Sequence, residues 1–174
     1  MKKTLVALVV ALVCVPVSQG AGASQRAAAT ELPSPGILRP GVSLAGVHIG
    51  DSVARVRRLW GSNYRVCADC NDRTWLYFYS RGEPLGAAVR FDRTGRVVAA
   101  FTLGAPTGWH TTEGLLLGEQ IDKVARLYGS LGWHRCIGYG AMFMRTGNTV
   151  TSIYTTGQVV YGFAITAAPE PICQ

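Results

Sequence analysis

Histidine and cysteine side chains are the residues of this sequence best suited to catalysis or metal binding, and they are dispersed. His48, His110 and His134 are far apart along the chain. His134 and Cys136 have a spacing at which an imidazole could activate a thiolate nucleophile. A disulfide at Cys136 would remove that thiolate, however. We therefore predict no catalytic residues, no metal, no cofactor and no enzyme activity.

Cysteine spacing allows more than one interpretation. Cys67 and Cys70 have the Cys-x2-Cys spacing of a zinc ligand pair or of a redox pair. No second Cys-x2-Cys is present, and no βαβ pattern surrounds this one. In an exported protein, the four cysteines that follow residue 23, namely Cys67, Cys70, Cys136 and Cys173, indicate two disulfides. Four cysteines permit three connectivities.

The first 43 residues predict export and a linker. Two lysines precede an apolar run that ends at Val17, and small residues follow it. This is the order of regions in a secretory signal peptide, and the run is shorter than the ~20 apolar residues that span a bilayer. We expect a signal peptide over residues 1–23, and a secreted or cell-envelope protein with no membrane span after cleavage. Residues 24–43 are rich in Pro and Gly without periodicity, which is typical of a linker or mobile arm.

The charge of the mature chain is moderately positive. Removal of the two signal lysines leaves 15 basic and 10 acidic residues, a net charge of +5. Such a charge tolerates an acidic partner. Because the arginines are scattered, we expect no nucleic-acid binding.

A repeat organises the rest of the chain. Residues 44–61 and 112–129 read LAGVHIGDSVARVRRLWG and TEGLLLGEQIDKVARLYG, and they align without gaps at an offset of 68 residues. In each copy apolar residues recur on one helical face and a glycine follows them, which predicts a helix of about nine residues. Asp51 or Ser52 can cap the first helix, and Glu119 places negative charge at the start of the second. Helices this short must pack on other elements.

Strand patterns follow each helix. They alternate in hydrophobicity between turn residues and cover residues 74–80, 86–91, 96–103, 149–155 and 158–166. The last strands align at an offset of 62 residues, which matches Phe101 with Phe163. The predicted fold is α+β, with two tandem repeats that each pack a short helix on a small antiparallel β-sheet. We place repeat 1 at residues 44–106 and repeat 2 at 107–174.

Alternation within the strands predicts which side chains lie beneath the helices. The larger apolar residues of the last strands are assigned to this core, namely Val97, Ala99, Phe101, Leu103, Val159, Tyr161, Phe163 and Ile165. Leu76 and Phe78 suit the same core. The opposite face would then present four candidate partner-binding residues of types that anchor interfaces, Trp75, Tyr77, Tyr79 and Arg90.

The repeated pattern has a known counterpart. The order apolar-x-x-Gly-x-[Ser/Thr]-x-x-x-Val-x-x-x-x-Gly, seen here from Val47 to Gly61, resembles the repeat of the β-lactamase inhibitor protein and of small lipoproteins of the outer-membrane barrel assembly machinery. The resemblance implies helices against an antiparallel sheet, and in the inhibitor two units that each have a disulfide. Asp51 and Glu119 replace the usual methionine, and Gln120 replaces Ser or Thr. The matching residues are scaffold, so the resemblance assigns no functional residue.

The repeat also favours one disulfide connectivity. Cys67 and Cys136 follow their helices at nearly equal distances, which suggests equivalent roles with separate local partners. We predict the pairs Cys67–Cys70 and Cys136–Cys173.

The sequence thus predicts a secreted non-enzymatic binding module that recognises a protein or a cell-envelope component. The alternative is a structural or envelope-maintenance protein without a dedicated ligand. The sequence leaves the partner and the oligomeric state open.

Overall fold

A computed structural model describes residues 32–70, 73–77, 86–104 and 106–174. The predicted signal peptide (residues 1–23), Phe78 and Tyr79 lie outside the described residues. The fold is mixed α+β, mostly sheet with two helices, as the sequence predicts. Neither described helix has the length and hydropathy needed to cross a membrane.

Two short helices and eleven strands make up the described part of the fold. The helices are α1 (Val53–Trp60) and α2 (Asp122–Tyr128), and a 3-10 turn covers Ala68–Cys70. The strands are β1 (Ile37–Arg39), β2 (Ser43–Leu44), β3 (Arg65–Val66), β4 (Thr74–Tyr77), β5 (Gly86–Phe91), β6 (Val97–Leu103), β7 (His110–Thr111), β8 (Gly132–Arg135), β9 (Gly140–Thr146), β10 (Thr149–Thr156) and β11 (Val159–Ala167). They form a three-stranded sheet, β2-β1-β7, and an antiparallel eight-stranded sheet, β3-β4-β5-β6-β11-β10-β9-β8.

Both helices begin and end close to the predicted positions. The Ser52 side chain caps α1 by accepting a hydrogen bond from the backbone N–H of Arg55 at 3.3 Å. α2 has no side-chain cap and begins with Asp122, whose charge suits a helix start. Gly61 and Gly129 end the helices with φ values of +82° and +68°, which glycine adopts without steric cost.

The acidic residues before the two helices, Asp51 and Glu119, make equivalent hydrogen bonds. Asp51 accepts the backbone N–H three residues before it and pairs with the basic side chain four residues after it. Glu119 makes the same two contacts. Each carboxylate therefore closes the tight turn before its helix and fixes the first helical turn.

The last strands are offset by 63 residues rather than the predicted 62. The glycine before each helix donates its N–H to a strand carbonyl, that of Val97 in β6 and that of Val160 in β11, at 2.8 Å in both cases. The difference, 160 − 97, is 63. A shift of one residue moves a strand side chain to the other face of the sheet. Phe101 and Phe163 accordingly lie in different core clusters.

The two halves share one sheet instead of forming two small ones. β6 and β11 pair antiparallel from Leu103 opposite Gly162 to Ala99 opposite Thr166. A Cβ atom added to Gly162 would lie 2.0 Å from the backbone carbonyl oxygen of Thr102. Only glycine allows this close approach of the two strands.

One face of the eight-stranded sheet, here called the helix face, packs against α1, α2 and the three-stranded sheet. Phe163 and Ile165 lie in this core, as predicted. In β6 a bulge beside Arg90 and Phe91 changes the alternation, so Val97 and Ala100 both belong to the helix-face cluster. The remaining predicted core residues of this strand, Ala99, Phe101 and Leu103, lie in a cluster on the opposite, open face.

A second bulge has the same effect in β11. The pairing with β10 shifts between Tyr154 and Thr155, and Val160 then lies in the helix-face core. Tyr161, which the sequence assigned to that core, packs instead against the open-face cluster. Val159 is only half-buried.

The faces of β4 are the reverse of the prediction. Trp75 and Tyr77 are 7% and 1% exposed and lie in the helix-face core. Leu76 is half-buried against the open-face cluster. Trp75 stacks on Tyr64 with ring centroids 3.8 Å apart. The rings are buried because they pack on other aromatic rings of the helix face: Tyr77 on Trp60, and Trp75 on Tyr64 and Phe91.

Residues 32–43, assigned from the sequence to a linker, belong to the fold. Leu38 in β1 is fully buried, and β1 pairs with β2 and β7. Gly36 lies against Trp109, where an added Cβ would come within 2.2 Å of the indole. The indole N–H of Trp109 donates to the Pro33 carbonyl at 3.1 Å. Pro33 and Gly36 of this segment therefore pack around the buried Trp109.

Candidate binding site

The two disulfides have the predicted connectivity. Cys67 pairs with Cys70, and Cys136 pairs with Cys173. Two disulfides are typical of proteins that fold in an oxidising compartment outside the cytosol.

The second disulfide holds the C-terminal residues 168–174, here called the strap, on the open face. The Tyr154 hydroxyl donates to the carbonyl of Ile172 at 2.7 Å, and the Tyr139 hydroxyl donates to the carbonyl of Gln174 at 2.7 Å. Burial raises the pKa of Tyr139, so its hydroxyl remains a donor over the ordinary pH range. Ile172 packs on the open-face apolar cluster. The strap thus covers part of the face that the sequence left open.

The four predicted partner-binding residues do not form one site. Trp75 and Tyr77 are buried on the helix face. Arg90 lies at the other end of the same half of the sheet and pairs with Glu170 of the strap, with 2.9 Å between Nη2 and Oε2. Tyr79 lies outside the described residues. The predicted exposure of Trp75 and Tyr77 is wrong, and no aromatic platform is formed by them.

An exposed aromatic and aliphatic surface occurs instead on the β8–β9 hairpin. Trp133 in β8 is 58% exposed, and Ile137 in the turn is 99% exposed. Every residue of β8 is exposed, and β8 is the last strand of the sheet. Large apolar side chains at a free sheet edge are unusual in a stable monomer and mark a candidate interaction site.

Trp133 is fixed in position despite its exposure. A Cβ atom added to Gly140 in β9 would lie 1.9 Å from the Trp133 ring, so the indole lies directly on the glycine backbone. Phe143 approaches Gly132 in the same way, with 2.5 Å to an added Cβ. Trp133 and Phe143 therefore each rest on a glycine of the neighbouring strand, which limits the entropy that Trp133 would lose on binding.

Two grooves flank this hairpin at the end of the sheet where β8–β9 and β10–β11 turn. One has a volume of about 380 Å³ and is lined by Trp133, Arg135, Tyr139, Gly140, Thr155 and Gly157. The other has about 420 Å³ and is lined by Leu103, Ile137, Gly138, Tyr139, Thr156, Tyr161 and Gln174. Tyr139 separates them. The lining is rich in Trp, Tyr and Arg, the residue types that dominate binding energy at interfaces.

The charged side chains between residues 123 and 169 are all basic. Residues 123–169 contain no Asp or Glu, and their basic residues are Lys123, Arg126, Arg135 and Arg145. Lys123 and Arg126 pair with carboxylates of α2 and the turn before it. Arg135 and Arg145 have no ion pair with the residues that the structure describes. Arg135, two residues after Trp133 in β8, therefore adds a positive charge beside it that no described carboxylate compensates, whereas Arg145 lies over the Phe143 ring.

Backbone groups of β8 are directed away from the sheet. The Cys136 N–H donates to the Tyr139 carbonyl across the hairpin at 3.0 Å. Because backbone groups alternate in direction along a strand, the N–H and C=O groups of Trp133 and the N–H of Arg135 point to the edge. The Arg135 carbonyl oxygen lies 3.9 Å from the Cys173 sulfur of the strap. No described strand pairs with that edge.

The three histidines do not meet. Asp51 lies 3.5 Å from the His48 imidazole, and His110 contacts the Gly108 carbonyl. His134 is exposed in β8. Within the described ranges, no group of three or more His, Cys, Asp or Glu is arranged to hold a metal ion.

The sequence contained a signal for this site. The string Gly-Trp-His occurs at residues 108–110 and again at 132–134. Trp109 is fully buried, whereas Trp133 is exposed. Both strings stand among several glycines, and the segment around the second has no acidic residue, whereas Glu113 follows the first.

Comparisons with known proteins bear on the fold alone. No protein-family model and no curated protein matches this sequence. The fold is similar to the crystal structure of a DUF4309 family protein (YjgB) from Bacillus subtilis subsp. subtilis str. 168. The TM-score is 0.55 and the sequence identity is 15%, over 71% of this chain and 84% of that chain. At this identity the likeness extends to the mixed α+β architecture and to nothing functional.

Proposed function

We propose that this protein is a secreted, non-enzymatic binding module that captures an extended acidic segment of a partner protein along β8. In this arrangement the segment adds a ninth strand to the sheet. Its backbone bonds to the N–H and C=O groups of Trp133 and to the N–H of Arg135, and its side chains enter the grooves beside Tyr139. The exposed Trp133, fixed on Gly140 at a free sheet edge, is the observation that carries the proposal.

Charge favours an acidic partner. Arg135 and Arg145 have no carboxylate partner in the described chain, and the surrounding segment has no acidic residue. Complementary charge speeds association and excludes basic segments. A basic or neutral segment would gain only the backbone bonds and the apolar contacts.

We also propose that the architecture is a tandem repeat related to that of the β-lactamase inhibitor protein. The equivalent contacts of Asp51 and Glu119 support this, as does the pairing of corresponding strands β6 and β11. A structural or envelope-maintenance role without a ligand is the second candidate. This candidate is favoured by the burial of Trp75 and Tyr77 and by the strap, which crosses the open face.

A peptide array tests the binding proposal. Ten-residue peptides of matched hydrophobicity, either rich in Asp and Glu or rich in Lys, are presented to the folded protein. We expect retention on acidic peptides, lost in Trp133→Ala and weakened in Arg135→Ala. Arg135→Pro should weaken retention further than Arg135→Ala, because proline also removes the outward N–H without affecting the bonds to β9.

A matched control uses the other end of the sheet. Val66 in β3 is also an exposed apolar residue of an edge strand, 51% exposed. Val66→Ser should leave retention unchanged. Equal retention of acidic and basic peptides, or retention that survives Trp133→Ala, would contradict the proposal and favour the structural role.

A further inference from the structure

A second pocket lies in the other half of the sheet, away from β8. It has a volume of about 390 Å³ and is lined by Cys70, Arg73, Arg90, Phe91, Asp92, Arg93, Val98, Glu170 and Pro171. We call it the arginine pocket, because three of its lining residues are arginines. It shares no residue with the grooves of the β8–β9 hairpin.

The pocket is built by three features that are fixed in the fold. The β5–β6 bulge leaves Val98 without a partner opposite it, since Arg90 pairs with Ala99 and Phe91 with Val97. Bulges re-aim side chains and are frequent beside functional sites. The disulfide-bonded turn that ends at Cys70 forms a second wall, and the strap forms the third.

Two arginines of the pocket have no carboxylate partner among the residues that the structure describes. Asp92 is committed to the β5–β6 turn, where its Oδ1 accepts hydrogen bonds from the backbone N–H groups of Thr94 and Arg96 and from the Thr94 hydroxyl. The bond from the Arg96 N–H is the largest cause that lowers the pKa of Asp92. Arg73 and Arg93 have no ion pair or hydrogen bond with a carboxylate of the described residues.

The third arginine already binds an oxyanion. Arg90 holds the Glu170 carboxylate of the strap at 2.9 Å, and both side chains are partly exposed, at 25% and 32%. An arginine fork matches the geometry of carboxylate and of phosphate. The pocket therefore accommodates an oxyanion in the present fold, and it has two further guanidinium groups with which to hold one.

We propose that the arginine pocket binds a phosphate group between Arg73 and Arg93, and that Glu170 competes with this phosphate for Arg90. The described lining has three arginines and the two carboxylates of Asp92 and Glu170, a net charge of +1, and Asp92 is occupied within its turn. A phosphate group carries a charge of about −1.5 to −2 at pH 7 and three acceptor oxygens, so it gains more from two guanidinium groups than a singly charged carboxylate does. The ligand is either free phosphate or a phosphate monoester.

The test is an NMR titration of the complete folded protein at constant ionic strength. The probes are inorganic phosphate, methyl phosphate and acetate. We expect phosphate to shift the amides of residues 91–98 and acetate to bind less tightly. Arg73→Gln and Arg93→Gln should each weaken phosphate binding about five- to tenfold, as expected for the loss of a charge-assisted hydrogen bond. Methyl phosphate binding as tightly as phosphate would identify a monoester as the ligand; weaker binding would identify free phosphate.

Glu170→Gln gives the decisive contrast. It removes the internal competitor while the Cys136–Cys173 disulfide retains the strap, so phosphate should bind several-fold more tightly. Arg58→Gln, at an exposed arginine of α1 outside the pocket, matches the loss of charge and should have no effect. Equal weakening by Arg58→Gln and Arg73→Gln would overturn the proposal, as would unchanged binding in Glu170→Gln.

Discussion

Trp60 lies at the centre of an aromatic cluster that holds α1 against the sheet. Its indole N–H donates to the Ala45 carbonyl at 3.0 Å. Its ring makes edge contacts with Tyr77 and Trp109, with centroids 5.4 and 5.7 Å apart. Trp75 extends the cluster through its stack on Tyr64. Rings of this size bury much apolar area and add aromatic contacts, so they dominate the core energetically.

Truncation of two tryptophans should separate core from surface. We expect Trp75→Ala to reduce the free energy of unfolding by about 3–5 kcal/mol, because it leaves a cavity beside Tyr64 and Phe91. Trp133→Ala removes the same side chain from an exposed site and should change it by less than about 1 kcal/mol. Urea unfolding of both variants makes the measurement. Equal losses of unfolding free energy would show that Trp133 supports the fold. A Trp75→Ala variant as stable as the unmutated protein would show that Trp75 is not a core residue.

A carboxylate stabilises the turn before each helix, Asp51 before α1 and Glu119 before α2. Glu119 Oε2 accepts the Leu116 N–H at 2.7 Å, and Oε1 accepts from Lys123 Nζ at 2.6 Å. The bond from Lys123 is the largest cause that lowers the pKa of Glu119, followed by that from Leu116. The ionised carboxylate is thus favoured in the folded chain relative to the unfolded one.

This difference predicts a pH-dependent contribution to stability. A lowered folded pKa stabilises the protein above the ordinary glutamate pKa of about 4.3 and loses that effect as the pH falls through the folded value. Glu119→Gln should therefore lower the Tm at pH 7 by about 1–2 °C, a size set by partly exposed ion pairs. The deficit should shrink below about pH 4. Thermal melts of the unmutated protein and of Glu119→Gln from pH 7 to 2.5 measure this difference in Tm. A difference that stays constant over this range would show that the charge of Glu119 is not its cause.

At the scale of the described molecule, the eight-stranded sheet has a different cover on each face. α1, α2 and the three-stranded sheet cover the helix face, and the strap crosses the open face. Phe101 and Leu103 on the open face are 6% and 7% exposed. Ile172 of the strap packs on their cluster. The burial of the open face therefore depends on the strap being held in place.

Removal of the strap disulfide should destabilise the protein more than removal of the other one. Cys136–Cys173 closes a loop of 37 residues, and Cys67–Cys70 one of three. In the entropy model the longer loop contributes about 3–4 kcal/mol. We expect Cys136→Ala/Cys173→Ala to lose about this much and to bind a hydrophobic dye through the uncovered Phe101 cluster. Cys67→Ala/Cys70→Ala is the control, and equal losses without dye binding would contradict the role assigned to the strap.

Features that depend on local pattern were determined by the sequence alone. The helical periodicity and the glycines Gly61 and Gly129 located both helices, since a short segment decides where a helix can end. The repeat predicted the pairs Cys67–Cys70 and Cys136–Cys173, because Cys67 and Cys136 follow their helices at nearly equal distances, which suggests equivalent roles with separate local partners. These features also indicated the α+β class.

Features that depend on contacts distant in sequence were decided by the tertiary structure. Alternation places Trp75 and Leu76 on opposite faces of β4 but does not say which face is covered, and one bulge beside Arg90 reverses the assignment. The two Gly-Trp-His strings are locally alike. Trp109 is buried because the segment around Gly36 folds over it, whereas Trp133 lies on Gly140 at an edge that no described strand covers. Burial is decided by the partners that the fold brings together, and those partners lie far away in the chain.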